Sequence, residues 1–415
     1  MPLTLERDRF VETMTEQAEI GATDGGGLHR LALSDDDKRI RDWFRDQLEA
    51  LDVPVRVDEF GNMFGRREGT NPDAAPVLVG SHLDSQPYGG IYDGALGVIA
   101  PLELLRTLEE DGIETEHPIE IVNWTNEEGS RFQPAMQGSG VWAGAHDLET
   151  EYERTDADGV RLVDELERIG YRGDLPAEPQ ESYEAYLELH VEQGPYLELN
   201  EKDVGVVTGV VGISWGAITF YGEADHSGPT PMHYRDDALV AAADVITQVR
   251  RIPGTLGERT VGTVGSVDVE PNSINIIPDE VTITFGFRDP DDEVVEEATE
   301  RVLAEAEAAA EREGVDWEWE ERHRSSSVDF AEPCIDAVQG AADDLGLDSM
   351  RLYSGAGHDA VHMTEVCDTS MVFTVSEDGK SHNEAEYTSW EDCYSGANTF
   401  ANAVCRLAGA ELEGR

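Results

Sequence analysis

The sequence predicts a two-domain α/β protein in which an α+β domain of ferredoxin-like type is inserted into a larger α/β domain. At 415 residues the chain is longer than one hydrophobic core usually serves. Short apolar runs typical of buried parallel strands alternate with helices in the first half and again at the end. Between them lies a block with the two-helix, four-strand alternation of a split βαβ unit. We therefore predict a first part of the larger domain at residues 1–210, an insert at 211–322 and a second part at 323–415.

The first part reads as two amphipathic helices, a hairpin, and then strands that alternate with a helix. The second helix begins after Ser34, whose side chain can cap it, and carries three aspartates in its first turn. The hairpin contains the turn pair Gly61-Asn62. Residues 150–182 are acidic and rich in predicted loop. The predicted elements lie at residues 3–20, 36–51, 54–67, 77–82, 94–112, 119–124 and 186–190.

The same turn and periodicity signals divide the insert and the final segment into strands and helices. Turn-rich sequence around residues 223–232 separates a long β-type run from a helix. The predicted strands and helices of this region are 204–222, 235–252, 259–270, 280–288, 290–313 and 315–321. After the insert, strand and helix alternation resumes, with a short buried strand at 371–375.

The composition excludes several classes of partner and compartment. The chain has 88 acidic and 30 basic residues, a formal charge of -58. The electric field of so negative a protein repels nucleic acid and anionic membranes, so we expect neither as a partner. It suggests a salt-rich cytoplasm, because a Debye length of about 3 Å near 1 M salt would mute the self-repulsion. The N-terminus lacks an apolar signal core, and the four cysteines form no close metal-type pair, as expected of a cytoplasmic, reduced protein.

Polar side chains of metal-binding type follow four of the predicted strands. Because carboxyl ends of parallel strands meet at one edge of a sheet, we expect these side chains to converge. Two imidazoles and one carboxylate suffice for one catalytic zinc, but five donors, including a carboxylate able to bridge, suggest two ions about 3.5 to 4 Å apart. No His-Glu-x-x-His helix is present, which excludes the common single-zinc protease pattern. The five donors are His82, Asp93, Glu128, His190 and His382.

Two further carboxylates lie next to these donors. Glu127 is not needed as a ligand and could take a proton from water and pass it to a leaving nitrogen. Asp84, two residues after His82, is placed to hold that imidazole through its other nitrogen. Nitrogen and oxygen donors of this kind accept zinc, manganese, cobalt or nickel, so the ion stays open.

Two rival motifs point to other chemistry. Gly212-Ile213-Ser214-Trp215-Gly216 fits the serine-hydrolase pattern, but that elbow requires a strand, a sharp turn and a helix, whereas β-type sequence continues here. Gly355-Ala356-Gly357-His358-Asp359-Ala360 fits a loose dinucleotide fingerprint, without a convincing ribose-binding acid downstream. A binding module without catalysis is disfavoured, because the five metal-type donors and the candidate base Glu127 are all present.

Five motifs in one order resemble those of the M20 metallopeptidase group. They are His82-Leu83-Asp84, Asp93-Gly94, Glu127-Glu128-Gly129-Ser130-Arg131-Phe132, His190-Val191-Glu192-Gln193-Gly194-Pro195 and Ser381-His382-Asn383-Glu384. They are most similar to its amidase branch, which hydrolyses N-carbamoyl amino acids, ureidopropionate and allantoate. The resemblance implies a zinc-peptidase-like catalytic domain with an inserted lid and dimerisation domain, and two divalent metal ions per subunit.

The resemblance also implies roles for single residues. His82, Asp93 and His190 would hold one ion, and Asp93, Glu128 and His382 the other, with Asp93 bridging and Glu127 as general base. His226 would reach the partner subunit's site in a homodimer and stabilise the oxyanion. Gln193 and His358 would line the pocket, while Asn275 and Arg288 would bind the carboxylate of a small ureido or amide substrate.

Simpler interpretations of these last residues stay open. An Arg that ends a β run suits a bidentate carboxylate contact, but Arg288 could instead pair with Asp289 or Asp291 at the surface. His226 could be a turn residue without a role, and His358 a helix N-terminal residue. The implied reaction is hydrolysis of a linear C–N bond, foremost in N-carbamoyl-L-amino acids. Allantoate or ureidopropionate hydrolysis is the alternative, followed by aminoacylase or dipeptidase activity.

Overall fold

The computed structural model describes residues 2–412 and separates them into two compact units. The second unit is Gly209–Asp329, and the first consists of the described residues on either side of it. The insert predicted from the sequence spans residues 211–322. The last strand of the insert runs to Ser325 rather than ending at 321, because its backbone stays paired with the neighbouring strand through the Ser325–Ile213 position.

Thirteen strands and thirteen α-helices form in the described part of the chain. The strands are β1 (Val55–Val57), β2 (Met63–Arg67), β3 (Val77–His82), β4 (Ile119–Trp124), β5 (Ala185–Val191), β6 (Val204–Val210), β7 (Gly212–Tyr221), β8 (Val261–Glu270), β9 (Glu280–Asp289), β10 (Asp316–Ser325), β11 (Val328–Asp329), β12 (Ser349–Ser354) and β13 (Asp368–Thr374). The helices are α1 (Arg7–Ala18), α2 (Asp35–Glu49), α3 (Asp93–Asp111), α4 (Gln137–Trp142), α5 (Leu148–Tyr152), α6 (Leu162–Ile169), α7 (Tyr196–Leu199), α8 (Ala238–Arg251), α9 (Pro253–Leu256), α10 (Asp292–Glu313), α11 (Glu332–Leu345), α12 (Ala360–Met363) and α13 (Trp390–Leu407).

A mixed sheet forms the centre of the first unit, with strand order β1-β2-β4-β3-β5-β13-β6 and with β12 also paired to β6. Strands β4, β3, β5 and β13 run parallel to one another. Their residues are buried almost throughout, as expected of parallel strands, and α3 and α13 pack against them. The carboxyl ends of these four strands therefore meet at one edge of the sheet.

Local sequence signals explain most element boundaries. Ser34 caps α2, since its hydroxyl accepts the backbone N–H of Asp37 at 3.1 Å. The hairpin forms as predicted, with Val57 opposite Met63. The segment 150–182, which was predicted to be rich in loop, also contains α6. That helix buries Leu162, Leu166 and other residues at helical spacing on one face.

The second unit has the predicted ferredoxin-like arrangement. Its elements follow in the order β7, α8, β8, β9, α10, β10, and the four-stranded antiparallel sheet has the order β10-β7-β9-β8. Apolar side chains of α8 and α10 pack on one face of this sheet, and Phe220, Ile283 and Phe287 are among the fully buried residues of this core. The predicted two-domain α/β fold with an inserted α+β domain is confirmed.

The structure also accounts for the cysteines and the rival motifs. Cys334, Cys393 and Cys405 are buried, Cys367 is half-buried, and all four are free. Ser214 lies inside β7 with 1 % of its surface exposed, so no nucleophile elbow forms there. The Gly-rich stretch after β12 leads only into α12, which has four residues and is too short for a dinucleotide-binding helix.

Among residues 2–412, no helix is long and apolar enough to cross a membrane.

Candidate metal centre

The carboxyl edge of the first unit's sheet brings the five predicted donors together. His82 is the last residue of β3, His190 lies near the end of β5, and Glu128 follows β4. Asp93 is the first residue of α3, and His382 lies in the loop after β13. Their ligand atoms form two groups, His82 with Asp93 and His190, and Asp93 with Glu128 and His382, and within each group the atoms lie no more than 4.8 Å apart. Asp93 is common to both groups.

The two carboxylate oxygens of Asp93 face different donors. Oδ1 lies 3.3 Å from Nε2 of His82 and 3.4 Å from Nε2 of His190. Oδ2 faces the other side, 3.8 Å from Nε2 of His382. The backbone N–H of Gly94 donates to Oδ1 at 2.7 Å and fixes the carboxylate. One oxygen for each group is the arrangement that a bridging carboxylate requires.

The imidazoles are oriented for metal binding by backbone carbonyls. Nδ1 of His82 lies 2.9 Å from the carbonyl oxygen of Asp84, and Nδ1 of His190 lies 3.0 Å from that of Val191. A carbonyl can only accept, so each Nδ1 carries the proton and each Nε2 presents a lone pair to the site. Nε2 of His82 is buried and has no hydrogen-bond partner among the described residues. An orphaned imidazole nitrogen beside carboxylate oxygens fits a divalent metal ion.

Asp84 contributes to the site in two ways. Its backbone carbonyl makes the short contact with His82, whereas its carboxylate Oδ1 lies 3.7 Å from that ring nitrogen. The carboxylate accepts the backbone N–H groups of Glu127 at 3.2 Å and Glu128 at 3.3 Å. Asp84 therefore ties the end of β3 to the segment that carries both glutamates.

Glu128 is held by Gln86, which the sequence analysis did not single out as a site residue. The backbone N–H of Gln86 donates to Oε1 of Glu128 at 3.0 Å, and its side-chain amide donates to Oε2 at 2.7 Å. The hydroxyl of Ser130 donates to the amide oxygen of Gln86 at 2.6 Å and fixes the amide orientation. Oε2 of Glu128 lies 3.6 Å from Nε2 of His382. A glutamine two residues after Asp84 carries no ligand signature, so only the folded turn reveals this role.

Glu127 lies beside the donors without belonging to either group. It is 8 % exposed, and its Oε2 lies 3.4 Å from Nε2 of His82. Burial raises the pKa of Glu127 well above its ordinary value; the neighbouring His82 opposes this rise, and the carboxylate of Asp359 reinforces it. A carboxyl group of raised pKa at this position can accept and return a proton.

Gln193 contacts the second group directly. Its side-chain amide donates to Oδ2 of Asp93 at 3.1 Å and lies 3.2 Å from Nε2 of His382. Its amide oxygen is buried without a partner among the described residues. Gln193 and His382 both have positive φ angles, 59° and 56°, which are uncommon outside glycine and cluster at functional sites. His382 is the most open of the donors, with half of its side chain exposed.

His358 directly precedes Asp359, the N-cap residue of α12, and its ring lies beside that of His190. Its ring is buried and meets the His190 ring edge to face, with the centroids 4.5 Å apart. Glu188, which the sequence analysis missed, is fully buried beside it and accepts from Ser81 at 2.7 Å and from Tyr186 at 3.2 Å. The alternation of β5 places Glu188 on the same face as His190, which is a signal the sequence carries. Glu188, His190 and His358 form a third group of close donor atoms.

The remaining predicted residues lie in the second unit. His226 is exposed, and its Nδ1 accepts the backbone N–H of Gly228 at 3.1 Å. Asn275 is also exposed, and its segment is joined to that of His226 by the Ser227 N–H, which donates to the Asn275 carbonyl at 3.0 Å. Arg288 lies in β9 with its guanidinium 5.9 Å from the ring centre of Trp215, and burial lowers its pKa.

Comparison with known proteins places these residues in a family. The model of peptidase family M20/M25/M40 matches residues 78–406. An N-carbamoyl-L-amino-acid amidohydrolase of Rhizobium meliloti is 42 % identical over 97 % of this chain and 96 % of its own. The allantoate amidohydrolase of Escherichia coli is 30 % identical over 98 % and 99 %. A crystal structure of a hydantoinase/carbamoylase family amidase from Burkholderia multivorans superposes with a TM-score of 0.94 at 45 % identity, covering 98 % of both chains. The chain belongs to peptidase family M20/M25/M40.

Proposed function

We propose that this chain is a metal-dependent amidohydrolase that cleaves the ureido C–N bond of N-carbamoyl-L-amino acids. The observation that carries the proposal is the pair of donor groups that share Asp93, with Glu127 beside them and outside both. The named relatives with the higher identities support the substrate class, since proteins 42 % and 38 % identical over nearly the full chain are N-carbamoyl-L-amino-acid amidohydrolases. The products would be the free amino acid, carbon dioxide and ammonia.

Two divalent ions per subunit are part of the proposal. His82, Asp93 and His190 would hold one, and Asp93, Glu128 and His382 the other. Bound there, the ions would supply Lewis acidity, which polarises a carbonyl group and lowers the pKa of water. The donor set accepts zinc, manganese, cobalt or nickel.

Glu127 would act as general base and then as general acid. Its carboxylate would take a proton from the water that attacks the ureido carbon, and it would return that proton to the nitrogen of the leaving amino acid. Asp84 would hold Glu127 through the backbone contact described above and would fix the proton of His82 on Nδ1 through its carbonyl group. Gln86 would keep Glu128 in its orientation.

Substrate recognition is proposed from chemistry and family resemblance together. Arg288 would bind the substrate carboxylate through its planar guanidinium, with Asn275 as a second donor. Gln193 and His358 would line the pocket. His226 would act in a homodimer, in the site of the partner subunit, and the second unit would serve as the lid and dimerisation domain. We place the enzyme in a cytoplasm of high salt because of its charge of -58.

A panel of substrates tests the assignment. N-carbamoyl-L-amino acids, ureidopropionate, allantoate and dipeptides would be assayed with the apo-protein reloaded with zinc, manganese, cobalt or nickel in molar KCl. We expect the highest kcat/KM for an N-carbamoyl-L-amino acid. Allantoate hydrolysis is the second candidate because of the Escherichia coli relative, and faster turnover of allantoate would favour it. Turnover of dipeptides alone would contradict both.

A further inference from the structure

Glu386 is a buried carboxylate that neither donor group includes. It lies four residues after His382 and is 6 % exposed. Its Oε1 accepts the backbone N–H groups of Tyr92 at 3.3 Å and Asp93 at 3.2 Å, at the start of α3. Its Oε2 accepts the hydroxyl of Ser381 at 2.8 Å. The two oxygens thus hold two different segments of the chain.

Ser381 extends this contact to the other side of Asp93. Its Oγ lies 3.3 Å from Oδ2 of Asp93 and also accepts the side-chain amide of Gln193 at 3.3 Å. Since Ser381 directly precedes His382, the path from Glu386 through Ser381 fixes the backbone that carries this donor. Glu386 therefore holds Asp93 at its backbone N–H and fixes the Ser381 hydroxyl, whose oxygen lies beside Oδ2 of Asp93.

The turn before α3 is shaped to fit this carboxylate. A Cβ atom on Gly90 would lie 1.9 Å from Oε1 of Glu386 and 2.7 Å from its Cβ. Only glycine lets the backbone pack this closely on the side chain. The turn that leads to Asp93 and the loop that carries His382 are thus fitted to each other around Glu386.

We infer that Glu386 is a positioning residue that couples Asp93 to His382 and so sets the geometry of the Asp93, Glu128 and His382 group. The inference rests on the proposed function in one respect, that this group holds a metal ion. The effect is larger on the Oδ2 side of Asp93, where Ser381 and His382 lie, because Oδ1 is also held by the backbone N–H of Gly94. Loss of the contact weakens binding of the ion at His382 more than binding of the ion at His82 and His190.

Two conservative variants separate geometry from charge. Glu386→Asp keeps the charge but is one methylene shorter, so it cannot reach both the start of α3 and Ser381. Glu386→Gln keeps the length: its amide oxygen can accept the two backbone N–H groups while its amide N–H donates to the Ser381 hydroxyl, which then donates to Asp93. We expect Glu386→Asp to bind one of two ions about 10- to 100-fold more weakly and Glu386→Gln to bind both like the unaltered protein.

The measurement is calorimetric titration of chelator-treated protein with Mn²⁺ alone and with Zn²⁺ alone, in molar KCl. Glu103→Gln is the matched control. Glu103 is a fully buried carboxylate in α3, the helix that begins at Asp93, and it contacts Arg9 and Arg106 away from the donors. This control should lower the melting temperature without changing the affinity of either ion.

Each outcome bears on a different statement. If the unaltered protein binds no ion, the proposed function and the inference both fail. If it binds two and Glu386→Asp binds both with unchanged affinity, the inference alone fails. Equal weakening of both ions in Glu386→Asp, or normal binding by Glu386→Asp with loss in Glu386→Gln, would overturn a positioning role on the His382 side.

Discussion

Gly94→Ala tests whether the close packing of α3 on β3 sets the position of His82. A Cβ atom on Gly94 would lie 2.2 Å from both Cδ2 and Nε2 of the His82 ring. Comfortable carbon contacts begin near 3.5 Å, so the ring would have to move by about 1 Å. It has little room to do so, because His82 is 1 % exposed and its Nδ1 is held by the Asp84 carbonyl.

The effects of this methyl group on stability and on metal binding differ in size. Alanine in a helix gains about 1 kcal/mol over glycine, whereas overpacking a core costs about 1–3 kcal/mol. The net loss of folding free energy is therefore only about 0–2 kcal/mol. A displaced Nε2 no longer lies beside Oδ1 of Asp93, and we expect metal affinity to fall at least about 10-fold.

The assay combines metal content after dialysis with thermal melting in the presence and absence of chelator. Gly254→Ala is the control, since a Cβ atom there meets no heavy atom within 4 Å. The control should keep its metal and its melting temperature. A Gly94→Ala protein that binds two ions with unchanged affinity would refute the packing argument.

The other predictions concern the base, the donor set, the substrate carboxylate and salt. Glu127→Gln should keep its metal and lower kcat about 10²- to 10⁴-fold, and substantial residual turnover would remove Glu127 as base. His190→Ala should lower the metal content, so an unchanged stoichiometry would mean that the donor set is wrong. Arg288→Lys should raise KM more than it changes kcat, because Lys cannot make a planar two-point contact; an unaltered KM would contradict carboxylate binding. The melting temperature should rise from low to molar KCl, and equal stability at both would argue against a high-salt protein.

The donors could be found from the sequence because strand ends have a strong signature. His82 and His190 each end an apolar run, and Glu128 follows another, so the parallel pairing of the strands alone brings them together. The contribution of Asp93 followed from the Gly-rich turn that precedes it. The ferredoxin-like fold of the insert could also be predicted from the sequence, since the order of its strands and helices allows few other strand pairings.

The residues that hold the donors could not be found in this way. Gln86 and Glu386 act through hydrogen bonds that exist only once separate loops have met, and one glutamate among 88 acidic residues carries no pattern of its own. The same limit applies to Asp84, whose backbone carbonyl rather than its carboxylate makes the short contact with His82. Main-chain atoms are identical in every residue, so their roles leave no trace in the sequence.

Strand β13 lies between β5 and β6 in the sheet, although the whole second unit is synthesised before it. Roughly 180 residues separate the end of β5 from the start of β13, or about 10 to 35 s of translation at common rates. During this interval β5 exposes an unpaired apolar edge, the kind of surface that invites pairing between chains. His382 is synthesised later still, so the Asp93, Glu128 and His382 group is incomplete until the loop after β13 has emerged.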